Sequence, residues 1–270
     1  MDVISREDFI KATGTMRFPS LVTFIMKSIK IDALNQMMAE AGELKGIAFA
    51  KFVFVFLKIK INLDPEELEN IPKTGAFIIV ANHPYGAVES LALMELLLTY
   101  RPDTLFMGNF LLKRLPHLAD HIIAVNPFEK IRHSSSVSGL KLTLCKLRSG
   151  TPVAIFPAGE VSAFDLKTLS VTDRKWHPVV GKLIAKAGVP VLPIYFHGNN
   201  GVAFSLLRYI HPSLQTAMLP AELFNKRNQT IKISIGKLQG TTSIPMAYQD
   251  PKLLQVLREK TYCLADRSFD

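Results

Sequence analysis

The apolar run Ala76 to Ala81 leads directly into Asn82, His83 and Pro84, then a turn at Gly86 and a helical pattern that carries Glu89. His83 therefore stands at the end of a predicted strand, and Glu89 follows six positions later in or near the first turn of the helix. A carboxylate that binds one imidazole nitrogen fixes the tautomer and stabilises the imidazolium, leaving the other nitrogen to act as a general base. Such a pair can deprotonate a hydroxyl or an amine. The plainer reading is a solvated turn histidine beside a glutamate that complements a helix N-terminus. A second strand end, in Ile155 to Ser162, gathers Phe156, Pro157, Gly159, Glu160 and Ser162 around another Pro/Gly turn. Taken singly, that turn reads as a capped strand-to-helix connection; two such turns in one chain point to a shared site. Asn82 and Gly86 join these residues as expected substrate contacts. His197, which ends a strand in YFHGNNG, either borders the same pocket or is a hydrogen-bonded structural histidine.

The surrounding segments alternate short apolar runs with helical stretches. Strands are predicted at Phe52 to Ile61, Ala76 to Ala81, Thr104 to Met107, Ile122 to Val125, Pro152 to Phe156, Val189 to Phe196 and Ile231 to Ile235. Helices are predicted at Phe18 to Lys30, Ile31 to Gly46, Ala87 to Tyr100, Val137 to Arg148, Pro178 to Ala187 and Pro251 to Leu264. Alternation of this kind, with near-continuous apolar strands, argues an α/β fold: a largely parallel or mixed sheet with helices on both faces. In such sheets ligands gather outside the carboxyl ends of the strands. The expected division is an N-terminal helical, membrane-facing segment over residues 1–50 and an α/β domain over 51–270.

Composition narrows the function classes. The 270 residues carry 32 basic and 23 acidic side chains, a net charge of +9, with 48% hydrophobic content; the pI is near 9.5 and the mean hydropathy +0.20. A chain that is both basic and apolar suits an anionic, greasy surface such as a lipid bilayer. Phe18 to Lys30 spaces its apolar residues helically between basic ones and reads either as a helix on its own domain or as an interfacial helix. The opening residues lack the basic lead and apolar core of a secretion signal, and no apolar run reaches the roughly 18 residues of a membrane span. The expected location is therefore the cytoplasmic face of a membrane, held peripherally. Nucleic acid is disfavoured because no aromatic-interleaved basic patch or reading motif is present. His117 and His121, four apart, lack the further ligand a metal needs and are expected to be solvated or capping. Cys145 and Cys263 have no catalytic context, and Cys145 is expected in the core. Lys226 and Arg227 are candidates for anionic headgroups.

NHPYGAVES and IFPAGEVS, followed by AGVPVLPIYF, resemble the ordered sequence blocks of the lysophospholipid acyltransferase superfamily, which includes 1-acylglycerol-3-phosphate O-acyltransferases. They look most like its hemolysin-like branch, whose members include ornithine and glycine lipid O-acyltransferases. The resemblance runs from about Ile4 to Leu238, through FLLKRLPHLADHIIAVNPFEK, DRKWH and PIYFHGNNG. It implies a glycerol-phosphate acyltransferase-like fold, His83 as catalytic base and Glu89 as its carboxylate partner. Five residues separate the two, as in that branch, but glutamate replaces the branch's aspartate; the extra methylene displaces the carboxylate by about an ångström. Phe156, Pro157 and Gly159 match the family's FPEG turn, which helps bind the acceptor. Ala158 precedes that glycine where the family has Glu, and no Arg follows nearby, which favours an aminolipid acceptor over a phosphate-bearing one. Lys130 and Arg132 are the candidates for the family's phosphate-contacting block.

The implied reaction moves a fatty acyl group from a thioester, carried by acyl carrier protein or coenzyme A, to the hydroxyl of a lyso-lipid. The glycine-bearing turns are expected to offer backbone N–H donors to the oxyanion, and no metal or redox cofactor is required. The competing reading is a catalytically silent relative that binds lipid or acyl carrier protein, for which Glu89 and Ala158 speak. A lipid hydrolase ranks last, because no G-x-S-x-G elbow is present.

Overall fold

The computed structural model describes residues 27–125, 135–166, 168–210, 215, 217–240 and 252–266. Seven strands form the main sheet: β1 (Lys60–Leu63), β2 (Ile78–Ala81), β3 (Leu105–Asn109), β4 (Ile122–Val125), β5 (Val153–Ile155), β8 (Val191–Phe196) and β9 (Thr230–Ile235). Their spatial order is β1-β9-β8-β2-β5-β3-β4. Strands β8, β2, β5, β3 and β4 run parallel, whereas β9 is antiparallel to β8 and carries β1 parallel to itself. The sheet is thus mixed, as the apolar strands predict. A separate hairpin pairs β6 (Ala163–Asp165) with β7 (Ser170–Thr172). The helices are α1 (Ile31–Ala41), α2 (Gly46–Leu57), α3 (Val88–Tyr100), α4 (Ser135–Arg148), α5 (Pro178–Ala187), α6 (Val202–Ile210), α7 (Leu219–Asn225) and α8 (Lys252–Tyr262). The hairpin, α6 and α7 were not legible in the apolar patterning.

Both faces of the sheet are covered, which is why its central strands are apolar throughout. Along β2, Ile79 and Ala81 pack into one core with Phe49, Val53, Leu93 and Leu97 from α2 and α3. Ile78 and Val80 point the other way, into a second core with Trp176, Val180 and Ile184 at α5 and Leu257 on α8. The period of two along a strand sends alternate side chains to opposite faces.

The strand predicted at Phe52 to Ile61 is the main correction. Residues 46–57 form α2, and only Lys60–Leu63 is strand. Phe49, Ala50, Val53, Phe54 and Leu57 are all buried at helical spacing, so packing against α3 overrides the β-propensity of the Phe/Val run. Lys58, left-handed at φ 53°, ends the helix. The boundary expected at residue 50 falls inside α2, which is continuous through it. Of the helix predicted at Phe18 to Lys30, residues 18–26 lie outside the described residues. His117 is not solvated: it is buried, stacks on Phe49 with ring centroids 4.5 Å apart, and its Nδ1 lies 2.6 Å from the Leu44 carbonyl oxygen. Cys145 is exposed on α4 rather than in the core.

One buried cation fixes the loops that feed β2 and β5. Arg101, at the end of α3, donates to the carbonyls of Pro72 (3.2 Å), Gly75 (2.8 Å) and Gly150 (3.2 Å) and forks onto Asp103 at 3.0 and 2.9 Å. The guanidinium holds the Asp103 carboxyl below its usual range, chiefly through the side-chain hydrogen bond. Arg101→Ala leaves three carbonyls without this donor and should lower unfolding free energy by about 3 kcal/mol, read from the midpoint of urea denaturation; a loss under about 1 kcal/mol would contradict this role.

Candidate active site

Strands β8, β2 and β5 lie side by side and end together at Phe196, Ala81 and Ile155. The three loops that leave them are therefore neighbours, and Asn82, His83, Gly86, Phe156, Pro157, Gly159, Glu160, Ser162 and His197 belong to these loops. His83 begins the turn after β2. Its Nδ1 lies 2.8 Å from Glu89 Oε1, the glutamate being fully buried and the imidazole 15% exposed. The same Oε1 accepts the backbone N–H of Tyr85 at 2.8 Å and of Gly86 at 2.6 Å. Nδ1 approaches this crowded oxygen off the straight N–H line. Glu89 Oε2 is buried without a hydrogen-bond partner among the described residues. The extra methylene of glutamate is thus accommodated with its carboxylate at the ring. Phe156 lies flat on the other side, 4.2 Å between ring centroids with planes 18° apart.

Gly86 is required by conformation. Its φ is +95°, and a Cβ there would stand 2.5 Å from Leu219 Cδ2 on α7. Gly159 also has positive φ, +71°, closing the second turn with its N–H on the Phe156 carbonyl at 3.0 Å. The N–H groups of Gly86 and Gly159 are therefore occupied and do not serve as the expected oxyanion donors.

Three residues expected to touch substrate serve the loops instead. Asn82 is buried; its amide donates to the Phe196 carbonyl at 2.9 Å and its side-chain oxygen accepts the Phe196 N–H at 2.7 Å, tying the end of β2 to β8. Ser162 is buried, its backbone N–H on the His83 carbonyl at 2.8 Å and its hydroxyl on Asp173 at 2.6 Å. His197 pairs Nε2 with the Ser234 hydroxyl at 2.9 Å and lies outside the cavity that His83 faces. Burial, then the nearby Lys232, pushes its pKa below the ordinary value. Pro157 accepts the His177 N–H at 2.9 Å through its carbonyl. Glu160 meets Arg174 Nε at 3.4 Å on the cavity rim. Lys130 and Arg132 lie outside the described residues.

Asp173, in the DRKWH block, was not among the expected site residues. Its buried carboxylate turns inward. Oδ1 accepts the His83 backbone N–H at 3.0 Å as well as the Ser162 hydroxyl, and Oδ2 accepts the Trp176 indole N–H at 3.0 Å. The only local sign was a tryptophan three positions away. Lys226 also faces inward: its ammonium sits 3.5 Å from Glu222 and 5.0 Å from the Tyr85 ring centroid, so it does not present itself to headgroups. Tyr85 donates its hydroxyl to the His197 carbonyl, and burial together with Glu89 drives its phenol well above the ordinary pKa. It is a donor here, not an acid.

A cavity of about 2180 Å³ opens beside His83. Its lining includes apolar Met37, Met38, Leu91, Met94 and Leu112 and polar Glu160, Asp165, Arg174 and Lys175, together with His83 and Phe156. Such a lining can receive both an apolar chain and a polar acceptor beside a base. Among the described residues no cluster of His, Cys, Asp or Glu could hold a metal ion.

Comparison with known proteins agrees with this chemistry. Two curated relatives, from Bacteroides thetaiotaomicron and Phocaeicola vulgatus, both carry the name lyso-glycine lipid O-acyltransferase. The first is 26% identical over 224 residues, 80% of this chain and 79% of the relative; the second is 26% identical over 246 residues, 87% and 85%. Among solved structures, the 1-acyl-sn-glycerophosphate acyltransferase PlsC from Thermotoga maritima matches the fold with a TM-score of 0.52, covering 97% of this chain and 89% of that one at 18% identity. The family match itself extends over residues 12–270. With both motif turns, the mixed sheet and the site between them inside that span, the chain belongs to the acyltransferase family.

Proposed function

We propose that this acyltransferase moves a fatty acyl group from a thioester donor to the hydroxyl of a lyso-lipid, of the amino-acid-headgroup kind for which its two relatives are named. The observation that carries the reading is the His83–Glu89 contact, whose imidazole lines a cavity of both apolar and polar residues. Glu89 at Nδ1 makes Nε2 the free basic nitrogen of the neutral ring. Nε2 takes the acceptor's hydroxyl proton as that oxygen attacks the thioester carbonyl. The tetrahedral intermediate collapses with cleavage of the C–S bond, and the thiolate leaves with a proton returned from the imidazolium. The reaction so written needs neither a metal nor a redox cofactor. A net charge of +9 favours encounter with either an acidic acyl carrier protein or the phosphates of coenzyme A.

Substrate and product are both bilayer lipids, and we place the enzyme peripherally on the cytoplasmic face. No helix among the described residues is long and apolar enough to cross a membrane. The outer face of α2 supports a surface contact: Val55 is 78% exposed and partly exposed Phe52 and Phe56 lie beside it, with exposed Lys51 and Lys58 at the margins. Aromatic and aliphatic side chains flanked by lysines suit an interfacial helix on anionic lipid.

The chemical reading is tested with purified protein, an acyl thioester and lyso-glycine lipid. His83→Ala should lower kcat by about 100-fold or more, and Glu89→Gln by about 10- to 100-fold, with the folded state checked by circular dichroism; a His83→Ala enzyme within a few-fold of the parent refutes the mechanism. For the surface reading, Val55→Glu should weaken sedimentation with anionic vesicles by about 5-fold or more while turnover of detergent-dispersed acceptor stays unchanged. Undiminished vesicle binding would remove α2 from the contact.

A further inference from the structure

We infer that Asp173 is a positioning residue for acyl transfer, acting through the backbone of His83; the inference rests on His83 being the base. The catalytic ring can be only as well placed as its own peptide unit, and that unit is held from two sides by one strap. The His83 N–H donates to Asp173 Oδ1 at 3.0 Å, and the His83 carbonyl accepts from Ser162, whose hydroxyl returns to the same Oδ1 at 2.6 Å. Oδ2 is fixed in turn by the indole N–H of Trp176, among the most deeply buried large side chains of the second core. The peptide of His83 is thereby tied to a rigid part of the protein, and so is the turn that carries Phe156.

The strap itself is gripped from behind by α8. The Asp173 N–H donates to the Tyr262 hydroxyl oxygen at 2.8 Å, and Arg258 donates to the Asp173 carbonyl at 3.1 Å and the Thr172 hydroxyl at 2.9 Å. The Arg258 guanidinium also lies 4.5 Å from the Tyr262 ring centroid. Burial and the nearby Asp173 push the Tyr262 phenol up to about 12, so it stays a neutral hydrogen-bonding group. Asp173 is only 3% exposed, and three donors converge on its carboxylate. A carboxylate accepts on both oxygens, whereas an amide of the same shape turns an NH2 toward one of those donors. The geometry therefore demands the charged, acceptor-only group, although burying it is unfavourable.

A double-mutant cycle tests this. In the parent, Asp173→Asn should lower kcat by about 30-fold with KM for the acceptor changed less than about 3-fold, since positioning of the base is lost rather than binding. In a His83→Ala background the same substitution should cost less than about 3-fold, because a residue that acts through His83 has nothing left to position. Equal losses in both backgrounds would mean a general structural role, and a parent-like kcat for Asp173→Asn would leave no role at all; either overturns the inference. A His83→Ala enzyme that stays active signals instead that the base assignment has failed. Should Asp173→Asn not fold, Ser162→Ala, which removes one donor to Oδ1, is run through the same cycle with an expected loss of about 5-fold in the parent only.

Discussion

The fully buried carboxylate of Glu89 is the constraint on which the site depends. Removing a charge from water costs several kcal/mol unless fixed dipoles and charges replace the lost hydration. Here two backbone N–H groups and an imidazole meet one oxygen, within the first turn of α3, where the helix dipole favours an anion. To bring both N–H groups to one point the chain must fold tightly over Pro84 to Gly86, with φ +95° at the glycine. That turn in turn brings α7 against it, because the space a side chain would need at residue 86 is filled by Leu219. The conformation of the loop and the position of the imidazole thus follow from keeping one anion dry.

The sheet makes that local solution rigid. Toward β8, Asn82 locks the Phe196 peptide, while Asn200 donates its side-chain amide to the Tyr85 carbonyl at 2.9 Å. Toward β5, the loop meets Ser162 and Asp173. The histidine turn is therefore stitched to both neighbours of its strand, and each neighbour is anchored in a different core: Phe196 in the one under α2 and α3, Trp176 in the one under α5. A displacement of His83 would have to disturb packing on one face of the sheet or the other, and close-packed cores resist small shifts.

The two strand–turn motifs were legible because what defines them is local, a short continuous apolar run and a Pro/Gly turn. Helical spacing follows only the first, whereas the turn after β5, read as a strand-to-helix connection, leads into the β6–β7 hairpin. His83, Glu89 and Phe156 emerged from that pattern and do meet in space. The polar residues around them were placed in the right loops but given the wrong partners. Asn82 hydrogen-bonds 114 positions away and the His83 N–H reaches Asp173 90 positions away, distances over which one sequence carries no register. The Phe/Val run of α2 misled for another reason: it satisfies a strand by residue type and a helix by spacing at positions 49, 50, 53, 54 and 57, and only the presence of α3 decides between them. Lys226 read as surface charge because its partner Glu222, one helical turn earlier, gives no sign of burial.

The withdrawal of the base from water explains why a buried carboxylate is needed at all. The imidazole lines a cavity of both apolar and polar residues, with Phe156 against its face. There the ring is mostly withdrawn from water, and the positive charge it gains on taking a proton cannot be met by solvent reorganisation. A carboxylate already fixed 2.8 Å from the opposite nitrogen meets that charge as it forms, without having to move. Stabilisation from a preorganised group grows as water is excluded, so the same burial that makes Glu89 expensive in the resting protein makes it effective when His83 becomes an imidazolium.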